Sequence, residues 1–92
     1  MDTTYNFDGS TLITVSTLRL FATVRVAAGT GKATIDGTTV AEVLANATTE
    51  YGSGFADLVP SCRIWVNGKT ADVDTAVGPN DEVALLPPVS GG

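Results

Sequence analysis

Apolar and polar residues alternate in pieces along residues 12–22. Ile13, Val15, Leu18, Leu20 and Ala22 are the apolar positions, and their phase changes between Val15 and Leu18. A period of two marks a strand with one buried face, and a bulge near Ser16 and Thr17 would reconcile its halves. Residues 28–31 (Ala-Gly-Thr-Gly) read as a loop, and residues 32–36 as a short second strand stopped by Gly37. The period then becomes helical. Val40, Val43, Leu44, Ala47 and Tyr51 recur on one face. Thr39 and Glu42 form a capping box, in which each side chain can satisfy a backbone N–H at the helix start. Gly52 is a natural stop. Ser53 and Gly54 continue as loop, and Phe55, Leu58 and Val59 are placed at the base of the core. A third strand covers residues 62–66, followed by the hairpin signal Asn67-Gly68. Gly78-Pro79-Asn80-Asp81 is a second turn. The last strand, residues 82–86, runs straight into a Pro/Gly-rich end.

The predicted order is strand, strand, helix, strand, strand. The first and last strands must pair to complete a sheet with the helix on one face. This is an α+β fold of the β-grasp type, a mixed sheet with one main helix and an extended C-terminal tail. Residues 1–10 read as a flexible extension in which Tyr5 and Phe7 are the candidates for docking. Residues 11–86 form the domain, and residues 87–92 the tail.

Composition narrows the chemistry. Ninety-two residues make one domain, and a chain this short buries only about 60 % of its unfolded surface. One cysteine, Cys62, excludes an internal disulfide and a multi-cysteine metal framework. There is no His, the commonest general base and metal ligand. Nothing reads as a signal peptide. The most apolar stretch, residues 12–26, is interrupted by Arg19 and Arg25, so no membrane span is expected and the location expected is cytoplasmic. The net charge of −5 speaks against a general nucleic-acid binder and is compatible with a basic docking surface on a partner. It also suits a salt-rich cell, as well as ordinary solubility. No acid–base pair, metal site or phosphate-binding loop is legible, so the chain is not expected to be an enzyme by itself or to hold a metal.

The tail carries the chemistry. Pro87 and Pro88 fix their own φ angles and project the chain as a polyproline-like rod. Val89 and Ser90 follow. Gly91 and Gly92 lack Cβ atoms and can pass a constriction that blocks other residues. The terminal carboxylate on Gly92, titrating near ~3.5, is ionised at neutral pH. Such a group reacts as an acyl donor only after activation, for instance as an acyl-adenylate. The other reading is a passive, frayed end.

Two segments carry a family resemblance. Leu18-Arg19-Leu20-Phe21-Ala22-Thr23-Val24-Arg25, followed by Gly29, resembles the first strand and turn of the MoaD-type sulfur carriers. The fifteen residues from Gly78 to Gly92 (GPNDEVALLPPVSGG) resemble their C-terminal signature, and Val66-Asn67-Gly68-Lys69 fits the hairpin between. The resemblance spans residues 13–92 and is greatest to the archaeal ubiquitin-like small modifier proteins of the MoaD/ThiS-like β-grasp family. It implies an E1-like enzyme that adenylates Gly92 with ATP and magnesium, neither bound by this chain. A persulfide donor would then give a thiocarboxylate. As the small subunit of molybdopterin synthase, the chain would insert its tail into a MoaE-type large subunit. As a modifier, it would join Gly92 to target lysines by an isopeptide bond. A dedicated sulfur carrier, for molybdopterin or tRNA thiolation without conjugation, is the alternative. Many relatives carry Phe-Phe before the Pro-Pro, where this chain has Leu85-Leu86.

Other residues are weighed on their own chemistry. Cys62 starts an apolar strand with no His to activate it and reads as structural. Arg19 and Arg25 read as solvated, with partner contact the alternative for both. Leu85 and Leu86 point to opposite faces; one belongs to the core and the other is a docking candidate with Val66 or Val89. Asp81 and Glu82 flank a turn and read as solvated. Lys32 and Lys69 are the candidate modified lysines. A plain β-grasp binding module with a passive tail is the third class, one that deletion of Gly92 would leave functional.

Overall fold

The computed structural model describes the backbone of residues 5–6 and 12–13, and residues 14–88 in full. The chain runs β1 (Tyr5–Asn6), β2 (Leu12–Ile13), β3 (Val15–Leu20), α1 (Ala22–Ala28), β4 (Lys32–Asp36), α2 (Val40–Tyr51), α3 (Ser53–Leu58), a 3₁₀ turn (Val59–Ser61), β5 (Arg63–Val66), β6 (Lys69–Thr70) and β7 (Glu82–Leu86). The main sheet has the order β4-β3-β7-β5-β6. β3 and β7 pair in parallel at its centre, and the other pairs are antiparallel. With α2 packed on one face, this is the expected β-grasp arrangement.

β3 shows no bulge. Its register with β4 runs unbroken from Val15↔Asp36 to Arg19↔Lys32. Ser16, Leu18 and Leu20 all face the core, and Ser16 is only 1 % exposed. The apparent phase change arises because a small polar residue occupies an inward position while Val15 faces outward.

The strand also stops earlier than its pattern suggests. Ala22 takes φ 51° and turns the chain into α1, a left-handed conformation that costs a non-glycine residue about 1–2 kcal/mol. α1 buries Val24 and ends at Gly29, whose φ of 78° lets its N–H reach Arg25 O and Val26 O. Ser53 and Gly54, read as loop, begin a second short helix, α3, which carries the fully buried Phe55. The helical layer therefore has three members where one main helix was expected.

α2 follows its prediction. Thr39 Oγ1 accepts the Glu42 N–H at 3.2 Å. Glu42 Oε1 reaches back one residue further than expected and accepts both the N–H and the hydroxyl of Thr38, each at 2.8 Å. These bonds hold the Glu42 carboxyl below its ordinary pKa. Val40, Val43, Leu44 and Ala47 face the sheet, where Leu18, Leu20, Val83 and Leu85 meet them. Each large aliphatic side chain so buried contributes about 1.5–3 kcal/mol. Tyr51 stands edge-on to Phe55 with ring centroids 5.3 Å apart and closes the base.

At the far end the two predicted turns clamp each other. Asn67 (φ 53°) and Gly68 (φ 82°) make the β5–β6 hairpin. Asn67 Nδ2 donates to Asp81 Oδ1 at 2.8 Å, while Asp81 Oδ2 accepts the Gly78 N–H at 2.9 Å. Asp81 is thus a turn-closing residue rather than a merely solvated one. At the other terminus Tyr5–Asn6, inside the segment expected to lack regular structure, pairs with Leu12–Ile13, which opens the stretch read as strand. The remaining residues of the proposed extension lie outside the described residues.

Candidate functional site

The site is built on β7. Parallel pairing with β3 on one side and antiparallel pairing with β5 on the other make it a central strand, held along its whole length. It ends at Leu86, and the half-buried Pro87 and exposed Pro88 follow. Val89, Ser90, Gly91 and Gly92 lie outside the described residues.

Alternation along the strands separates the docking candidates. Leu85 is fully buried against the helices, so it is the core member of the pair and offers no surface. Val66 pairs with Val83 and packs against the same core, so it cannot join a patch with Leu86. Leu86 and Arg19 face the opposite, helix-free side of the sheet. There the register aligns Lys32, Arg19, Ala84, Trp65 and Thr70 in one row across all five strands. Leu86 stands opposite Arg63 in the next row towards the tail.

This face mixes cations with apolar groups. Arg19 Nη1 lies 3.3 Å from Glu82 Oε2, with both side chains over a third exposed. An exposed pair of this kind adds little stability; it orients Arg19. Glu82 is thereby engaged rather than merely solvated. The Arg19 guanidinium also sits 5.7 Å from the Phe21 ring centroid. Phe21 is 39 % exposed. Trp65 is half-buried, and its Nε1 is shielded without a hydrogen-bond partner among the described residues.

Trp65 and Phe21 were not singled out from the sequence. The signal for Trp65 was present: once Ile64 is inward, a period of two sends Trp65 outward. Arg25, read as solvated with partner contact as the alternative, lines a cleft of about 430 Å³ with Arg19, Phe21 and Lys32 beside the end of β3.

Cys62 is inert by geometry. Its Sγ donates to Leu58 O at 3.3 Å, and burial pushes the thiol pKa up, away from the reactive thiolate. Lys32 and Lys69 are both exposed. Among the described residues no group of three or more His, Cys, Asp or Glu is placed to hold a metal ion, and no helix is long and apolar enough to cross a membrane.

Comparison with known proteins gives this arrangement its context. No curated protein matches the chain. Among solved structures, small archaeal modifier protein 1 from Methanosarcina acetivorans is 28 % identical with a TM-score of 0.78, over 87 % of this chain and 98 % of that one. Small archaeal modifier protein 1 from Haloferax volcanii is 27 % identical with a TM-score of 0.76, over 85 % and 99 %. The complex of subunits 1 and 2 of molybdopterin-converting factor from Helicobacter pylori contains a chain 24 % identical, with a TM-score of 0.62 over 85 % and 99 %, a likeness of fold. The ThiS family model matches residues 18–92, from the middle of β3 through the last glycine, and the chain belongs to the ThiS family.

Proposed function

We propose that this protein is a ubiquitin-like modifier and sulfur carrier whose working group is the Gly92 carboxylate. An E1-like enzyme uses magnesium-bound ATP. A Gly92 carboxylate oxygen attacks the α-phosphorus, pyrophosphate leaves, and the carboxyl becomes an acyl-adenylate. Two outlets follow. A lysine Nζ of a target protein attacks the acyl carbon, AMP leaves, the nitrogen loses a proton and an isopeptide bond forms. Alternatively, the terminal sulfur of a persulfide displaces AMP, and a thiol reduces the resulting acyl disulfide to a thiocarboxylate. That sulfur is then delivered inside a MoaE-type large subunit. In each step this chain's own task is to present the tail at a fixed place and angle. Pro87, Pro88, Val89, Ser90 and Gly91 thread it, and the face bearing Arg19 and Leu86 docks.

One observation carries this reading. The strand that leads into the tail is the central strand of the sheet, paired on both sides. A tail rooted there is aimed by the whole domain, whereas one rooted on an edge strand would swing with it. The family match that continues to residue 92 supports the same reading.

The test is a denaturing immunoblot of the N-terminally tagged protein in its native host, beside the same protein lacking Gly92. Conjugation predicts heavier bands that vanish with Gly92. Absence of such bands from both forms removes conjugation. The second reading, a dedicated sulfur carrier, then leads, and it is favoured by the likeness in fold to a chain in a complex of subunits 1 and 2 of molybdopterin-converting factor. Its own check is the mass gained when oxygen is exchanged for sulfur at the C-terminus. A chain that works equally well without Gly92 defeats both readings.

A further inference from the structure

We propose that Arg19, Arg25 and Lys32 form a receptor for an acidic peptide segment of the partner that takes the tail. The inference rests on the tail-transfer reading for where that partner stands. The site itself is read from the geometry.

The charge distribution comes first. The chain has five basic residues and a net charge of −5, yet three of the five line one cleft of about 430 Å³. Among the described residues the single carboxylate paired with them is Glu82, through Arg19. Among the described residues Arg25 and Lys32 have no ion-pair partner. The spot is locally positive on an acidic protein, so it calls for an acidic counterpart where the overall charge is compatible with a basic docking surface on a partner.

The cleft is also built. Arg19 and Lys32 are register partners on β3 and β4 and so project from the same face. Phe21 lies beneath the Arg19 guanidinium. Arg25 folds over Gly31 so closely that a Cβ there would stand 3.2 Å from Arg25 Nε. Glycine at 31 therefore makes room for the arginine. Thr30 Oγ1 accepts the Lys32 N–H at 3.3 Å and donates to the Lys32 carbonyl at 3.0 Å, which holds the backbone that carries Lys32. Of the three cations Arg19 is oriented in advance, by Glu82 and Phe21, and a cation so held loses less entropy on binding.

Position then selects the ligand. β3 and β7 are parallel, so their C-terminal ends lie together; Phe21 follows Leu20 as Leu86 follows its register partner Leu85. The cleft flanks the root of the tail. Six residues drawn out into a partner's site would span about 20 Å, which would carry a nucleotide reacting at Gly92 well away from the cleft. What meets the cleft is the protein surface around the entrance. Guanidinium forks and an ammonium group suit carboxylates there. Three cations on so acidic a chain are too few for a nucleic-acid backbone. An acidic spot on the partner, facing these residues, fixes the docking register.

The experiment has two arms. In the first, the full chain is titrated into ATP–pyrophosphate exchange by the host's E1-like enzyme. The set is wild type, the chain lacking Gly92, Arg25→Gln/Lys32→Gln, the charge-keeping Arg25→Lys/Lys32→Arg, and Ala45→Glu/Thr49→Glu, which makes the same charge change on the exposed side of α2. The expected result is a carrier KM raised about tenfold in the Gln pair, with kcat unchanged. The other two double variants should stay within about twofold, and KM should rise steeply with salt in the wild type and in both of them but not in the Gln pair. In the second arm, amide shifts are mapped with a hexaglutamate peptide, a hexaglutamine peptide and a single-stranded RNA hexamer. Shifts confined to residues 19–32 and seen with hexaglutamate alone are expected. Equal KM changes in the Gln pair and the α2 pair overturn the proposal, and so do peptide shifts that are absent, scattered or matched by RNA. Exchange that ignores Gly92 would sink the tail reading instead, and the peptide arm then decides the cleft alone.

Discussion

The two faces of the sheet obey opposite rules. On the helix side Leu18, Leu20, Val83 and Leu85 are sealed under α2 and α3. On the other side Arg19, Trp65, Ala84 and Leu86 stand without a helical cover. The contrast is sharpest along β7, where neighbouring leucines do different work. Leu85 is fully buried and Leu86 only half so. One residue of register separates a group that holds the domain together from one free to meet a partner. The largest test of this contrast is a matched pair of truncations. Leu85→Ala should lose about 3 kcal/mol by urea denaturation, and Leu86→Ala about 1 kcal/mol or less. The order should reverse in a carrier KM measurement, with Leu86→Ala the more damaging among the folded molecules. Equal losses of stability would mean that the open face is packed as tightly as the core and is unavailable for docking.

A second test probes how closely the helix side is fitted. Gly37 follows β4 with φ 151°, and a Cβ there would sit 2.7 Å from Val43 N and 2.8 Å from Val43 Cγ2. Neither neighbour can step aside, because Val43 is wholly buried in α2. Gly37→Ala should cost about 2 kcal/mol, from backbone strain together with displacement of the helix. Gly68→Ala, at φ 82° but with open space around it, isolates the strain alone. A Gly37 variant no worse than the Gly68 variant would show that the helix gives way, and that this side is looser than its burial implies.

Much of this arrangement was legible because local and global signals agreed. β4 and β7 fall where the pattern put them, and α2 runs from its Thr39 cap to Tyr51 before Gly52. The Asn67-Gly68 turn is a two-residue hairpin as written. The misses have local causes. α1 begins at a non-glycine residue in a left-handed conformation and contains Thr23, Val24 and Val26, β-branched residues that are poor helix formers. α3 opens with Ser53-Gly54, a loop signal overridden by the burial of Phe55. For the site, the tail was plain in the sequence. The cationic cleft was not, because Arg19, Arg25 and Lys32 come together only once α1 and the β3–β4 register are known. Val66 was assigned to the wrong face for the same reason: the β5–β7 register decides it.

Ser16 is the exception on the helix side, and it gives the smallest and most direct test. It occupies an inward position between strands rich in Leu and Val, 1 % exposed, and its Oγ has no hydrogen-bond partner among the described residues. A buried hydroxyl left without a partner loses its water and gains nothing in exchange, at about 1–3 kcal/mol. Ser16→Ala removes the hydroxyl and leaves a void smaller than a methyl group. The desolvation term exceeds the packing term, so the variant should be more stable than the parent by about 1 kcal/mol. Its Gly92 chemistry should be unchanged, since the open face and the tail root are untouched. Loss of stability in Ser16→Ala would show that the hydroxyl does find a partner. The inner face would then contain a polar contact, and the separation of an apolar side from a polar side would be weaker than Leu85 and Leu86 suggest.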